Sequence, residues 1–133
     1  MRKSLISLWM SITILLSFPA PAAPANHVDM AGAILDFLSR TELCLNSCRD
    51  AASTQAAIPK LQELRQESIQ LAETQRNLTE PTIQDYMAVQ DKMEAFTTIW
   101  NAIRKHLERL EEEQLMTSEL RQILHIAPPA PQN

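Results

Sequence analysis

From Ala31 onward, the apolar positions of this chain recur three and four residues apart. Ala31, Ile34, Leu38, Thr41, Leu45, Cys48 and Ala52 make one series. Ala57, Leu61, Leu64, Ser68, Leu71, Gln75 and Leu78 make a second. Tyr86, Val89, Met93, Phe96, Trp100, Ile103, Leu107 and Leu110 make the third and longest. That beat marks one face of an amphipathic α-helix. It predicts helices over 28–50, 54–77 and 82–114. On the third, the stripe puts Trp100 and Leu107 in the core and Lys105 and Glu112 outside.

The interruptions have chemical causes. Asp50, Ser53 and Thr54 offer side-chain oxygens where a second helix must be capped. Pro59 falls early in that helix, removes one backbone bond and predicts a bend. In "NLTEPT", Pro81 suits a first helical position, with Thr79 or Glu80 before it. After Leu110 the beat slips, and Glu111, Glu112 and Glu113 crowd what would be the negative end of a helix. A short fourth helix over 117–125, opened by Thr117 or Ser118 with Glu119 in its first turn, accounts for the slip. One long helix with a stammer is the alternative.

The expected fold class is all-α: an antiparallel three-helix bundle with a long third helix, plus a short C-terminal helix. The third helix, about 33 residues, would be about 50 Å long against about 34 Å for its partners. Its surplus end needs cover from the last helix, from a second subunit or from water. Gly32 is the lone glycine, and turn residues are too sparse for a β-protein.

The first residues read differently. Arg2 and Lys3 precede an uncharged apolar run, "LISLWMSITILLSF", which is followed by "PAPAAPA". A basic start, an apolar stretch and small residues at a cleavage site form a secretory signal peptide. The run is short of the roughly 20 residues that span a bilayer. Cleavage is expected after Ala25, with Ala22 as the competing site. The expected layout is a signal peptide at 1–25, a helical domain at 26–126 and a Pro-rich, unfolded tail at 127–133. The destination is the periplasm or the exterior, with no stable membrane anchor after cleavage.

Charge narrows the partners. The full chain carries a net charge of −4, and losing the leader removes two cations and no acid. An acidic chain lacks the basic footprint that nucleic acid or anionic lipid requires.

The two cysteines, Cys44 and Cys48, stand in "CLNSC". Helical residues four apart hold their Cβ atoms about 5–6 Å apart, whereas a disulfide needs roughly 3.5–4.5 Å. Packing at a buried face is therefore the first expectation. A distorted local disulfide or an intersubunit bridge stays open, because an exported protein meets an oxidising medium. Two thiolates without a histidine at ligand spacing make a poor metal site.

Three histidines complete the candidate chemistry. His27 misses the amino-terminal copper position by one. His106 reads as a solvated flank residue, and His125 closes the last helix, where a cation is favoured. Met30 and His125 stand roughly where periplasmic four-helix b-type cytochromes hold haem, so a haem- or metal-binding bundle is a minor alternative. No Gly-rich phosphate loop, nucleophile elbow or paired histidine motif occurs. No catalytic residue, cofactor or metal ligand is therefore expected.

A non-enzymatic interaction or self-association module is the reading that remains. In class it is similar to exported helical stress proteins of the Spy type, which bind unfolded clients. The L-T-x-x-Q signature of those proteins is not met, because in "LTEPTIQ" Gln84 lies two places too far along.

Overall fold

The structure, a computed structural model, describes residues 24–125. The expected tail, and the expected leader except for its last two residues, lie outside that range. About four-fifths of the described residues are helical, and none of them is in a strand. The helices are α1 (His27–Asn46), α2 (Ala51–Asn77), α3 (Ile83–Gln90), α4 (Met93–Glu112) and α5 (Ser118–Leu124).

Every helix start but that of α4, which follows Lys92 directly, has a side-chain cap. Asn26 Oδ1 accepts from the Asp29 amide at 2.8 Å. Asp50 accepts from the Ser53 amide at 2.7 Å while the Ser53 hydroxyl accepts from the Asp50 amide at 3.0 Å, which closes a capping box. This reciprocal cap starts α2 at Ala51 and ends α1 at Asn46, three and four residues before the periodicity alone places them. A second box, Thr82 with Asp85, opens α3. Pro81 thus precedes the cap and is not the first helical residue. Thr117 caps α5 by accepting from the Leu120 amide at 3.1 Å.

The long third helix of the sequence reading is divided in two. Asp91 and Lys92 stay in the right-handed helical region, with φ of −64° and −87°. The Lys92 amide donates to Val89 rather than to Ala88. One tightened turn therefore separates α3 from α4. The slip after Leu110 is a helix end. Gln114 takes φ 59°, the Leu115 amide donates back to Leu110 at 2.8 Å and the Gln114 amide to Glu111 at 3.1 Å. Those two bonds form a Schellman motif, here with glutamine at the left-handed position. Pro59 lies inside α2, but both it and Gln55, whose carbonyl loses its donor, are exposed. The lost bond falls on the solvent side.

α1 packs on α2, on α4 and to a lesser extent on α3, and α5 packs on α2. Contacts between 27 and 79, 40 and 67, and 44 and 57 run α1 against α2 in opposite directions. Those between 42 and 106 and between 45 and 109 run α1 and α4 in the same direction. The main core gathers at one end, where Leu45, Cys48, Leu61, Leu64, Ile103, Leu110, Leu120 and Ile123 are buried together. Toward the far end, α2 leaves Ile69 exposed, and α3 buries no residue.

The α4 stripe differs from expectation by one residue. Trp100 is 57% exposed, and Met93 and Tyr86 are exposed as well. Ile99 is half-buried in place of Trp100, and His106 lies beside half-buried Leu107. The series 96, 100, 103, 107, 110 and the series 96, 99, 103, 106, 110 both keep a three-four beat and share three members. One residue is about 100° of rotation, and α1 occupies the side bearing Ile99 and His106. Lys105 and Glu112 are exposed as expected, whereas Ala52 is exposed despite its place on the first stripe.

Candidate functional site

The cysteines lie at the turn between α1 and α2. Cys44 is half-buried in the last turn of α1, and Cys48, just beyond it, is fully buried in the core. Their sulfurs are not bonded to each other. The Cys48 thiol donates to the Cys44 carbonyl at 3.5 Å, and the Cys44 thiol lies 4.0 Å from the Ala57 carbonyl. Burial raises both thiol pKa values. At Cys44 the neighbouring Cys48 adds to this, and at Cys48 hydrogen bonds from Thr54 and Ser47 and the charge of Arg109 oppose it. At neutral pH both are thiols rather than thiolates, so they are weak nucleophiles and weak ligands.

Arg109 holds this turn together from α4. Its guanidinium donates to the Cys48 carbonyl at 2.8 Å and to the Leu45 carbonyl at 3.1 Å. α1 has no basic residue of its own in its last turn, so Arg109, together with Arg49, whose Nε–H donates to the Asn46 carbonyl at 2.8 Å, supplies the positive charge that a helix C-terminus favours. Periodicity within α1 cannot show a cap that arrives from another helix.

The three histidines lie at separate places in the fold. His106 is not a solvated flank residue. Its Nε2–H donates to Glu42 Oε1 at 3.0 Å, and its side chain is 16% exposed. His27 Nε2–H donates to the Thr79 carbonyl at 2.5 Å and ties the start of α1 to the α2–α3 turn. His125 caps α5 in the left-handed conformation, φ 54°. Met30 is buried at the start of α1, beside Gln75 and Leu78 near the end of α2. α5 instead lies along Pro59, Gln62 and Arg65, near the start of α2. About 25 Å of helix separates these two sites, so the structure does not bring the candidate haem pair together. Among the described residues, no three His, Cys, Asp or Glu side chains converge as metal ligands.

Glu111 and Glu113 are tied down by Arg121 at 2.5 Å and Arg109 at 3.2 Å. On the opposite face of α1, Arg40 clasps Glu67 with two hydrogen bonds, one of them 2.7 Å, and Asp36 with a third at 2.9 Å. The Glu67 carboxyl is held below the usual carboxylate range chiefly by the Arg40 hydrogen bonds, and the Arg40 pKa rises in turn.

Two surface features remain without an internal role. One is a cleft of about 500 Å³ between the start of α1 and α3, lined by Met30, Ile34, Leu78, Val89 and Phe96, with His27 and Asp85 among its polar groups. The other is a row of exposed apolar residues. Ile83, Tyr86, Met87, Met93 and Trp100 all lie on α3 and α4, and each is more than half exposed. Large apolar side chains clustered on one surface mark sites of interaction. The only sequence signal for the row was the seven-residue spacing of Tyr86, Met93 and Trp100, which single-chain reasoning assigns to the core.

No family model matches this sequence, and no curated protein or solved structure is similar to it. Among the described residues, no helix is long and apolar enough to cross a membrane.

Proposed function

We propose that this chain is an exported, non-enzymatic helical protein that binds a protein partner, or a second copy of itself, through the outer face of α3 and α4. The exposed row from Ile83 to Trp100 is the observation that carries this reading. A solitary protein would lose solubility by showing five large apolar side chains on adjacent helices, and a protein that docks there buries them. In this reading α1, α2 and the α3–α4 segment form an up-down-up antiparallel three-helix bundle, with α5 closing its end. The leader directs it to the periplasm or medium, and its acidity turns it from nucleic acid. The cysteines pack or bridge and do not react.

The deciding experiment puts a photo-activated amino acid at position 100 or, as a control, at exposed Glu63, in the cells that make the protein. The expected result is a cross-linked protein product from position 100 and none from position 63. Equal labelling from both positions, or none from either, would sink the proposal.

Met87 and Met93 favour a second reading, a chaperone-like client binder of the Spy class, because flexible thioethers adapt to varied apolar surfaces. Suppressed aggregation of a chemically unfolded protein, lost in a Met87→Gln/Met93→Gln variant, would support it.

A further inference from the structure

We infer that the partner on the outer face of α4 is a second copy of this chain, docked antiparallel across a twofold axis near residues 98 and 99. This rests on the interaction face proposed above and names its occupant.

α4 carries two seams, an apolar inner one and an outer one that mixes apolar and polar residues. The inner one, through Phe96, Ile99, Ile103 and Leu110, meets the core of its own chain. The outer one passes through Met93, Thr97, Trp100 and Arg104, again at steps of four and three, and all four are exposed. Tyr86 extends it onto α3 seven residues before Met93. A helix with a second seam at heptad spacing has the pattern that pairs with another helix.

Charge selects the partner and its direction. Arg104 lies on the outer seam and Glu94 and Lys105 flank it; all three are exposed, and none forms an ion pair within the described residues. Arg104 makes only a 3.0 Å hydrogen bond to Asn101 next door. By helical rotation, Glu94 and Lys105 share one flank of the seam. In an antiparallel pair centred between residues 98 and 99, Trp100 packs beside Thr97 of the second copy. Met93 lies against the stem of its Arg104, and Glu94 meets the cationic end of Arg104 and the nearby Lys105. The twofold axis repeats each contact, so one acid and two cations satisfy both copies. A parallel pair in register would stack Arg104 on Arg104 at the seam, and like charges there are repulsive. The face is therefore complementary to itself in one orientation.

The test is sedimentation equilibrium of the purified protein in reductant, which excludes a cysteine bridge, across the micromolar range. A dimer is expected, and it should weaken as salt rises. Trp100→Glu should give a monomer with an unchanged helical spectrum. Glu94→Arg or Arg104→Glu alone should raise the dimer Kd about tenfold or more, since two symmetry-related pairs turn repulsive. The double variant Glu94→Arg/Arg104→Glu should restore most of the affinity, which a residue with a merely structural role would not do. A protein that stays monomeric throughout, or a dimer indifferent to these three single changes, overturns the inference. A monomer that still cross-links to another protein from position 100 would overturn self-pairing alone and leave the interaction face standing. Loss of both the dimer and that cross-link would remove both.

Discussion

Arg109 on α4 closes the end of α1 by donating to the main-chain carbonyls of Leu45 and Cys48, at 3.1 and 2.8 Å. Its side chain is only 18% exposed, so these are shielded, charge-assisted bonds between two helices and the turn that follows the first. Arg109→Ala should cost about 1.5–3 kcal/mol, because it removes the charged donor from the Cys48 carbonyl and leaves the Leu45 carbonyl with main-chain donors alone. Arg109→Lys should recover only part of that, because an ammonium lacks the planar fork that spans two acceptors. Urea unfolding of the three proteins tests this, and a neutral alanine variant would refute it.

The rotation of α4 makes a second contrast. Ile103 is 5% exposed within the core cluster, and Ile103→Ala should cost about 2–5 kcal/mol at any protein concentration. Trp100→Ala removes a larger side chain from a mostly exposed position. Under conditions that keep the protein monomeric, it should cost less than about 1 kcal/mol. Equal losses in thermal or urea unfolding would return Trp100 to the core.

The Arg40–Glu67 pair makes stability depend on acid. Because the folded carboxyl titrates below its unfolded value, its contribution is present above about pH 4.3, the ordinary glutamate value. It fades as pH falls through the lower folded value, since protonation breaks the pair. The pair is about one-third exposed on each side, so that contribution should be about 0.5–1 kcal/mol. Glu67→Gln should therefore lower stability at pH 7 by that amount and flatten the loss between pH 5 and pH 3. A variant whose acid limb parallels the wild type would show that other carboxylates govern it.

The thiols should differ in reach. In the reduced, folded protein, Cys44 borders an open groove with Leu43 and Lys60, whereas Cys48 has no exposed surface. An aromatic disulfide reagent at neutral pH should label Cys44 first, and Cys48 only on the timescale of unfolding. Both should react slowly compared with a free thiol, because burial keeps them protonated. Thiol titration of unreduced, denatured protein decides their native state. Two free thiols per chain leave packing standing, and none implies a bridge.

The all-helical class, the position of the α1–α2 turn and the existence of a short last helix were legible in the sequence. Each depends on neighbours within a few residues. A three-four beat fixes the helical period, Asp50 with Ser53 forms its box locally, and Thr117 caps with Leu120 three places on. Which face of α4 turns inward was not legible, because Trp100 and Ile99 fit the same beat and lie one step of rotation apart. Only the placement of α1 against Ile99 and His106 decides between them, through a bond from His106 to Glu42 across 64 residues of chain. The Arg109 cap and the Arg40–Glu67 clasp belong to the same class, being polar contacts whose partners have no periodic relation in sequence. Local hydrogen bonding and rotamer preference determine where helices begin and end. The rotation of each helix about its axis is decided by what it packs against, and that is a property of the whole fold.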